Sequence, residues 1–262
     1  MLLVLKNMII KNLSKKVKWL GFDKLIHIVK KISMDIYEYG IDEEILHSTF
    51  KQSLIKRHIS RLLISNFNGD RGHNINTSQY FLGFGLLHYG IIRNIKPNNI
   101  LCIGSRKGFI PAILALACKD NAKGHVDFVD AGYDRDNINH WSGIGWWKKV
   151  DPNKHFSYLE LNTWITTYVM TTKKFAKEYP NRIYEYIYID GDHSYEGVKL
   201  DYSLFWPKLT KYGFMVFHDV YVQYTKNLGH FGVWKLWREL KNNNKIIFPF
   251  PKDSGLGFIQ KI

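Results

Sequence analysis

The run Tyr186-Ile187-Tyr188-Ile189 passes without a break into Asp190-Gly191-Asp192-His193-Ser194-Tyr195. Its first half has the β-branched and aromatic composition, and the length, of a buried central strand bounded by a glycine. The second half is a dense polar cluster. In an open α/β sheet, ligands bind outside the carboxyl ends of the strands, so two carboxylates and an imidazole released there line a pocket mouth. A second run of the same kind, Phe214-Met215-Val216-Phe217, leads directly into His218-Asp219. Between them, Tyr195 to Leu209 reads as a crossover helix closed by Lys211-Tyr212-Gly213. A right-handed β-α-β unit makes the two strands parallel neighbours with their polar ends on one edge. Asp190, Asp192, His193, His218 and Asp219 are therefore expected to converge. Oxygen and nitrogen donors on adjacent strand ends suit a hard divalent cation such as magnesium.

Upstream, a strand at Ile100–Ile103 enters the turn Gly104-Ser105-Arg106-Lys107-Gly108 and then an apolar helix from Phe109 to Cys118. A strand, a glycine turn and a helix N-terminus offer closely spaced N–H groups to an anion or a nucleotide-like ligand. A purely structural turn would read the same. The dinucleotide fingerprint is absent, because Arg106 holds its middle glycine position. The next strand, Val126–Asp130, ends in an acid about 20 residues after the turn, where nucleotide-binding folds place a carboxylate on the ribose hydroxyls. The alternative for Asp130 is an exposed strand end without a ligand.

The segment from Ala131 to Lys154 carries Trp141, Gly143, Gly145, Trp146 and Trp147. Loops of that length are usually lids or binding loops. The tryptophans could stack on a sugar or an adenine, or only cover the sheet edge. A third strand is expected at Phe156–Leu161, then Asn162-Thr163-Trp164 and a helix to about Tyr179. The chain closes with a helix bearing Val233, Leu236, Trp237 and Leu240, and strands at Ile246–Phe250 and Gly257–Lys261. The short connection between these last two requires them to be antiparallel.

Ahead of this domain, residues 12–64 carry helical stripes, Leu46, Phe50, Leu54, Ile59 and Leu62 forming the last. A glycine- and asparagine-rich loop spans 66–76 and marks a boundary, and Thr77 is placed to cap a helix over Ser78–Asn94. The expected organisation is thus a helical appendage over 1–75 and an α/β domain over 76–262. The latter has a Rossmann-like, seven-stranded, mostly parallel sheet with an antiparallel last strand.

Of the 262 residues, 45% are apolar and 15% aromatic, which excludes a disordered chain. No apolar run reaches the roughly 18 residues of a membrane span. Met1–Leu5 has no basic flank and meets Lys6, a poor signal peptide. Cys102 and Cys118 give neither a disulfide framework nor metal-ligand spacing, in keeping with a reducing, cytoplasmic setting. Residues 1–31 hold eight lysines against Asp23 alone, half of the chain's net charge of +14. That cluster is a solvated face or a docking surface for anionic membrane, nucleic acid or a phosphorylated substrate.

The order of glycine turn, acid-ended second strand, Asp190-Gly191-Asp192-His193-Ser194-Tyr195-Glu196-Gly197, Phe217-His218-Asp219 and antiparallel closing pair resembles class I S-adenosylmethionine-dependent methyltransferases. It is most similar to the bacterial branch with D-G-D-H-[ST]-Y-E-G and F-H-D motifs, over about residues 76 to 262. The resemblance implies that Gly104, Ser105 and Gly108 underlie the methionine part of the cofactor, Asp130 holds the ribose and Asn162 approaches the adenine. Asp190 lies at the cofactor and, by likeness to metal-dependent O-methyltransferases of the catechol and macrocin type, joins His218 and Asp219 around magnesium or manganese. His193 stands where relatives often carry lysine and is the implied base, with His218 its rival. Cys102 and Arg106 depart from the family's acid and second glycine. The implied activity is O-methylation of a sugar or other small-molecule hydroxyl, in glycan or natural-product modification. Two rival readings are a nucleic-acid methyltransferase, which lacks its expected proline-aromatic motif here, and a membrane-surface scaffold with a degenerate cofactor site. Homo-oligomerisation is left open.

Overall fold

The computed structural model describes residues 55–67, 73, 75–131, 146–225, 229–241, 244–248 and 254–262. The chain divides into two units, Met1–Ser53 and Leu54–Ile262, and every described residue belongs to the second. The basic N-terminal cluster and Trp141 with its glycines lie outside the described residues.

Five runs rich in β-branched and aromatic residues form parallel strands, the inner ones buried on both faces and the edge strand Ile165–Tyr168 only partly buried. They are β1 (Asn99–Ile103), β2 (His125–Val129), β3 (Ile165–Tyr168), β4 (Tyr184–Ile189) and β5 (Leu209–His218). A two-stranded hairpin, β6 (Tyr224–Thr225) and β7 (Gly229–His230), precedes β8 (Lys245–Phe248) and β9 (Leu256–Gln260). The main sheet has seven strands in the order β3-β2-β1-β4-β5-β9-β8. β1 to β5 pair in parallel, and β9 is antiparallel to both β5 and β8. The expected mostly parallel sheet with an antiparallel end is therefore present.

Helices cover both faces. One core holds α1 (Arg57–Phe67), α2 (Phe84–Ile95) and α3 (Phe109–Asn121) against the sheet, with Leu63, Phe67, Ile92 and Ile113 fully buried. Beyond the short turn α4 (Pro152–His155), α5 (Thr172–Glu178), α6 (Tyr195–Phe205) and α7 (Val233–Glu239) pack on the other face through Phe175, Val198, Phe205 and Trp237. None of the described helices is long and apolar enough to cross a membrane.

Several boundaries differ from expectation for identifiable reasons. Phe156–Leu161 is not a strand: Leu159 and Glu160 take left-handed backbone angles (φ 59° and 57°), and Tyr158–Thr163 forms a 3-10 turn. Phe156 instead stacks between Phe67 and Trp147, with ring centroids 5.5 Å and 5.7 Å away. The strand is the β-branched Ile165–Tyr168 that follows. The helix expected from Ser78 starts at Phe84, because the Asn76 side chain accepts the backbone N–H groups of Ser78 and Gln79 and holds a turn there. Pro207 follows the end of α6, so Lys211-Tyr212-Gly213 lies inside β5, at an irregularity in its pairing with β4. On α1 the buried face is Ser60, Leu63, Ile64 and Phe67, and Leu62 is exposed.

Candidate active site

The glycine turn is built against the end of β4. Gly104 has φ 70°, and a Cβ there would lie 2.1 Å from the Asp190 carbonyl oxygen, so no other residue fits. Its N–H donates to the Val129 carbonyl (2.9 Å), and the Asp190 N–H donates to the Ile103 carbonyl (2.8 Å). These bonds level the carboxyl ends of β1, β2 and β4. Ser105 Oγ accepts the Ile110 N–H (3.3 Å) and so secures the first turn of α3. Gly108 makes room for the Phe156 ring, which a Cβ would approach to 2.7 Å. Asp130 follows β2 on the same edge, half-buried, with its N–H donating to the Tyr168 carbonyl (3.1 Å). Cys102 is fully buried, and burial first, then the Asp190 and Asp130 charges, push its thiol well above the usual range. It is therefore a neutral side chain.

Asn162 is placed elsewhere. It sits in the 3-10 turn before β3, and the neighbouring Trp164 carbonyl accepts the Val126 N–H at the start of β2. That is the amino edge of the sheet, opposite the glycine turn. The displacement follows directly from the later position of β3, Ile165–Tyr168 in place of Phe156–Leu161, and Tyr168-Val169-Met170 occupy its carboxyl end instead.

Asp190 is the hub of the polar cluster. Tyr188 donates its hydroxyl to Asp190 Oδ2 (3.1 Å). Asp190 Oδ1 lies 3.3 Å from His193 Nε2 and 3.2 Å from His218 Nδ1. Asp219 completes the group, Oδ1 lying 3.3 Å from His218 Nδ1 and Oδ2 3.6 Å from His193 Nε2. Asp219 has φ 59°, a conformation aspartate tolerates better than most residues and one concentrated at functional sites. Burial by itself would raise the Asp190 pKa. The His218 charge and the hydrogen bonds from His193 and His218 overcome it and hold the carboxyl well below the ordinary value. Burial would lower both imidazoles, yet the hydrogen bond to Asp190 and the carboxylate charges carry His193 upward, and the Asp219 and Asp190 charges carry His218 well upward.

Asp192 does not join this group. Its Oδ1 accepts the Ser194 N–H (2.9 Å), Ser194 Oγ accepts the Gly197 N–H (3.0 Å), and a Cβ on Gly197 would meet the Asp192 side chain at 2.4 Å. The second aspartate and the second glycine of the motif thus build the start of α6. The structure adds residues that the sequence pattern does not mark. His73 places Nε2 3.7 Å from Asp190 Oδ2, and Phe231 stacks on His193 at 4.9 Å. His88, fully buried, has Nδ1 2.6 Å from the Tyr186 hydroxyl and its ring edge-on to Tyr188. Burial lowers its pKa to about 3, so it is neutral. His88 was legible in one respect, since Phe84, His88 and Ile92 share a helix face; His73 sits among glycines and asparagines with no periodicity to betray it. Trp147 is buried against Phe128 and is core, whereas Trp146 is partly buried at its margin, with the Lys107 ammonium 4.9 Å from its ring and the His155 ring edge-on at 6.0 Å. Among the described residues, donors able to hold a metal fall into two overlapping groups, His73-Asp190-His218 and Asp190-His193-Asp219.

Residues 101–220, from β1 through the end of β5, match the family model described as a methyltransferase domain. This stretch is thus similar to methyltransferase domains. Its fold is that of solved O-methyltransferases. The enzyme from Bacillus cereus in complex with SAH is 12% identical with a TM-score of 0.53, over 83% of this chain and 96% of that one. TomG from Streptomyces achromogenes, an O-methyltransferase of tomaymycin synthesis in complex with SAM, gives 12% and 0.54 over the same shares. An uncharacterised protein of Sinorhizobium fredii is 37% identical over 73 residues, which are 28% of this chain and 8% of that relative's length.

Proposed function

We propose that the protein is an S-adenosylmethionine-dependent O-methyltransferase acting on a small-molecule hydroxyl, with a sugar of a glycan or natural-product precursor the first acceptor to test. The observation that carries this reading is the meeting of Asp190, His193, His218 and Asp219 on the edge that also bears the Gly104 turn and Asp130. Methyl transfer is an in-line displacement: an acceptor oxygen lone pair forms the new C–O bond while the methyl carbon–sulfonium bond breaks, and the acceptor proton must leave. Gly104, Ser105 and Gly108 would cradle the methionine end, and Asp130 would accept hydrogen bonds from the ribose hydroxyls. His193 would take the acceptor proton as general base, and Asp190 and Asp219 orient the ring through Nε2 and stabilise the imidazolium formed. Phe231 closes the other face of the ring. Asp190, His218 and Asp219 offer a divalent metal a place at this edge, and such an ion when bound lowers the pKa of a coordinated hydroxyl. The tomaymycin-pathway relative supports a small-molecule acceptor.

Calorimetry with S-adenosylmethionine tests the cofactor. Wild type is expected to bind, and Asp130→Ala to weaken binding by about 10- to 100-fold through loss of charge-assisted hydrogen bonds. His193→Ala should bind cofactor normally and lose roughly 10² to 10⁴ in turnover of an accepted sugar. No binding to wild type would refute the reading, and an unchanged rate in His193→Ala would remove that residue from the chemistry.

A further inference from the structure

His73 comes from outside the matched methyltransferase stretch, yet it reaches the cluster's hub. Its Nε2 lies 3.7 Å from Asp190 Oδ2, and its ring lies 4.6 Å from that of His218. Both imidazoles are 5% exposed, and one ligand atom each from His73, Asp190 and His218 falls within 4.8 Å of the other two. A four-coordinate ion with bonds near 2.1 Å spaces its donors about 3.4 Å apart. The separations of 3.2 Å from His218 Nδ1 to Asp190 Oδ1 and 3.7 Å from His73 Nε2 to Asp190 Oδ2, one to each carboxylate oxygen, bracket that value.

The chemistry of this set is not that of a magnesium site. Magnesium favours oxygen donors and keeps several waters, whereas imidazole nitrogen suits zinc, iron or cobalt. Two histidines, one carboxylate and an open position are a recurrent arrangement for catalytic transition ions. The Asp190-His193-Asp219 group is richer in oxygen, but a metal there would engage His193, the residue that the proposed reaction needs as base.

We infer that His73, Asp190 and His218 form a site for a divalent transition ion of the zinc class, with His73 a ligand supplied from upstream of the methyltransferase stretch. The inference rests on the proposed reading of this edge as the acceptor site, and it replaces magnesium by an imidazole-seeking ion. The open coordination position then faces the acceptor hydroxyl, and Asp219 and His193 stay available to move its proton.

The test is metal binding by the full-length protein after chelation, with zinc, cobalt and magnesium chlorides titrated separately into wild type, His73→Ala and His73→Asn. Wild type is expected to bind one equivalent of zinc more tightly than magnesium. Each variant should bind zinc at least roughly 10-fold more weakly while its magnesium affinity stays unchanged. Magnesium preferred by wild type, or zinc affinity unaltered in a folded variant, overturns the inference. Should neither variant fold, the cobalt spectrum of wild type decides: intense visible bands of a four- or five-coordinate, nitrogen-ligated ion support it, and weak six-coordinate bands refute it. Cofactor titration in the same preparations separates the two readings. Retained S-adenosylmethionine binding without zinc selectivity defeats only the metal assignment, and absent cofactor binding defeats the methyltransferase reading itself.

Discussion

Gly104 shows how one residue joins two functions. Its missing side chain lets the glycine turn rest on the carbonyl of Asp190, so the position of the turn and the position of the polar hub are one constraint. Ala at 104 has to push its Cβ away from backbone, which does not yield as a side-chain tip would, and to hold φ 70° as well. Gly104→Ala is expected to destabilise the domain by about 3 kcal/mol, read as a lowered denaturant midpoint, and to lose S-adenosylmethionine binding in whatever protein remains folded. A variant as stable as wild type would mean that β1 and β4 are not so tightly joined. At this scale the sequence was informative where chemistry is concentrated in a few letters. Asp190, His193, His218 and Asp219 are all brought together as their strand-end positions imply. It was uninformative for His73, whose approach depends on the path of a whole segment. It misled for Asp192, because an aspartate two residues before a helix N-cap serves a local turn as readily as a ligand.

At the scale of elements, the legible ones are those whose burial is nearly uniform. β1, β4 and the apolar α3 declare themselves by continuous apolar runs. β3 does not: four residues at the sheet edge, with Thr166 exposed, carry little signal. The richer run before it belongs to an aromatic cluster under α3, and Asn162 was misplaced along with the strand. α6 carries a consequence for pH. Asp201, buried on that helix, faces the motif loop, and a Cβ on Gly191 would come within 3.5 Å of its carboxylate. Burial, opposed by a hydrogen bond from Thr172 and aided by the Asp192 charge, raises its pKa to about 7. The folded domain therefore keeps a proton that the unfolded chain releases above about pH 4. The stabilisation this confers is complete below pH 4 and is lost as pH rises towards 7. Asp201→Asn removes the titration. Its melting temperature relative to wild type should climb between pH 4 and 8, by an amount on the order of 4 kcal/mol in stability. A difference that does not vary with pH would show that Asp201 ionises normally.

Over the whole molecule, helices on both faces of one sheet were legible from alternating strand and helix signals, because such a sheet must be covered twice. The position of the domain's beginning was not. The glycine- and asparagine-rich stretch after residue 66 has the composition of a linker, and composition reports local backbone freedom rather than what the preceding helix packs against. α1 precedes that stretch yet belongs to the same unit as the sheet. Leu63 and Phe67 are fully buried, and Phe67 stacks on Phe156, which itself packs on Phe128 of β2. Removing a buried leucine or phenylalanine side chain costs about 2–5 kcal/mol, against a total stability of about 5–15 kcal/mol for a domain. A chain starting at Leu54 is therefore expected to unfold in a single cooperative thermal transition. One starting at Asn76, which also lacks His73, should melt roughly 10 °C lower or lose cooperativity. Calorimetric scans of the two chains, with and without S-adenosylmethionine, decide the matter. Identical melting would return α1 to the appendage, whereas a stable longer chain that still binds cofactor would place the first helix of the methyltransferase domain at Arg57.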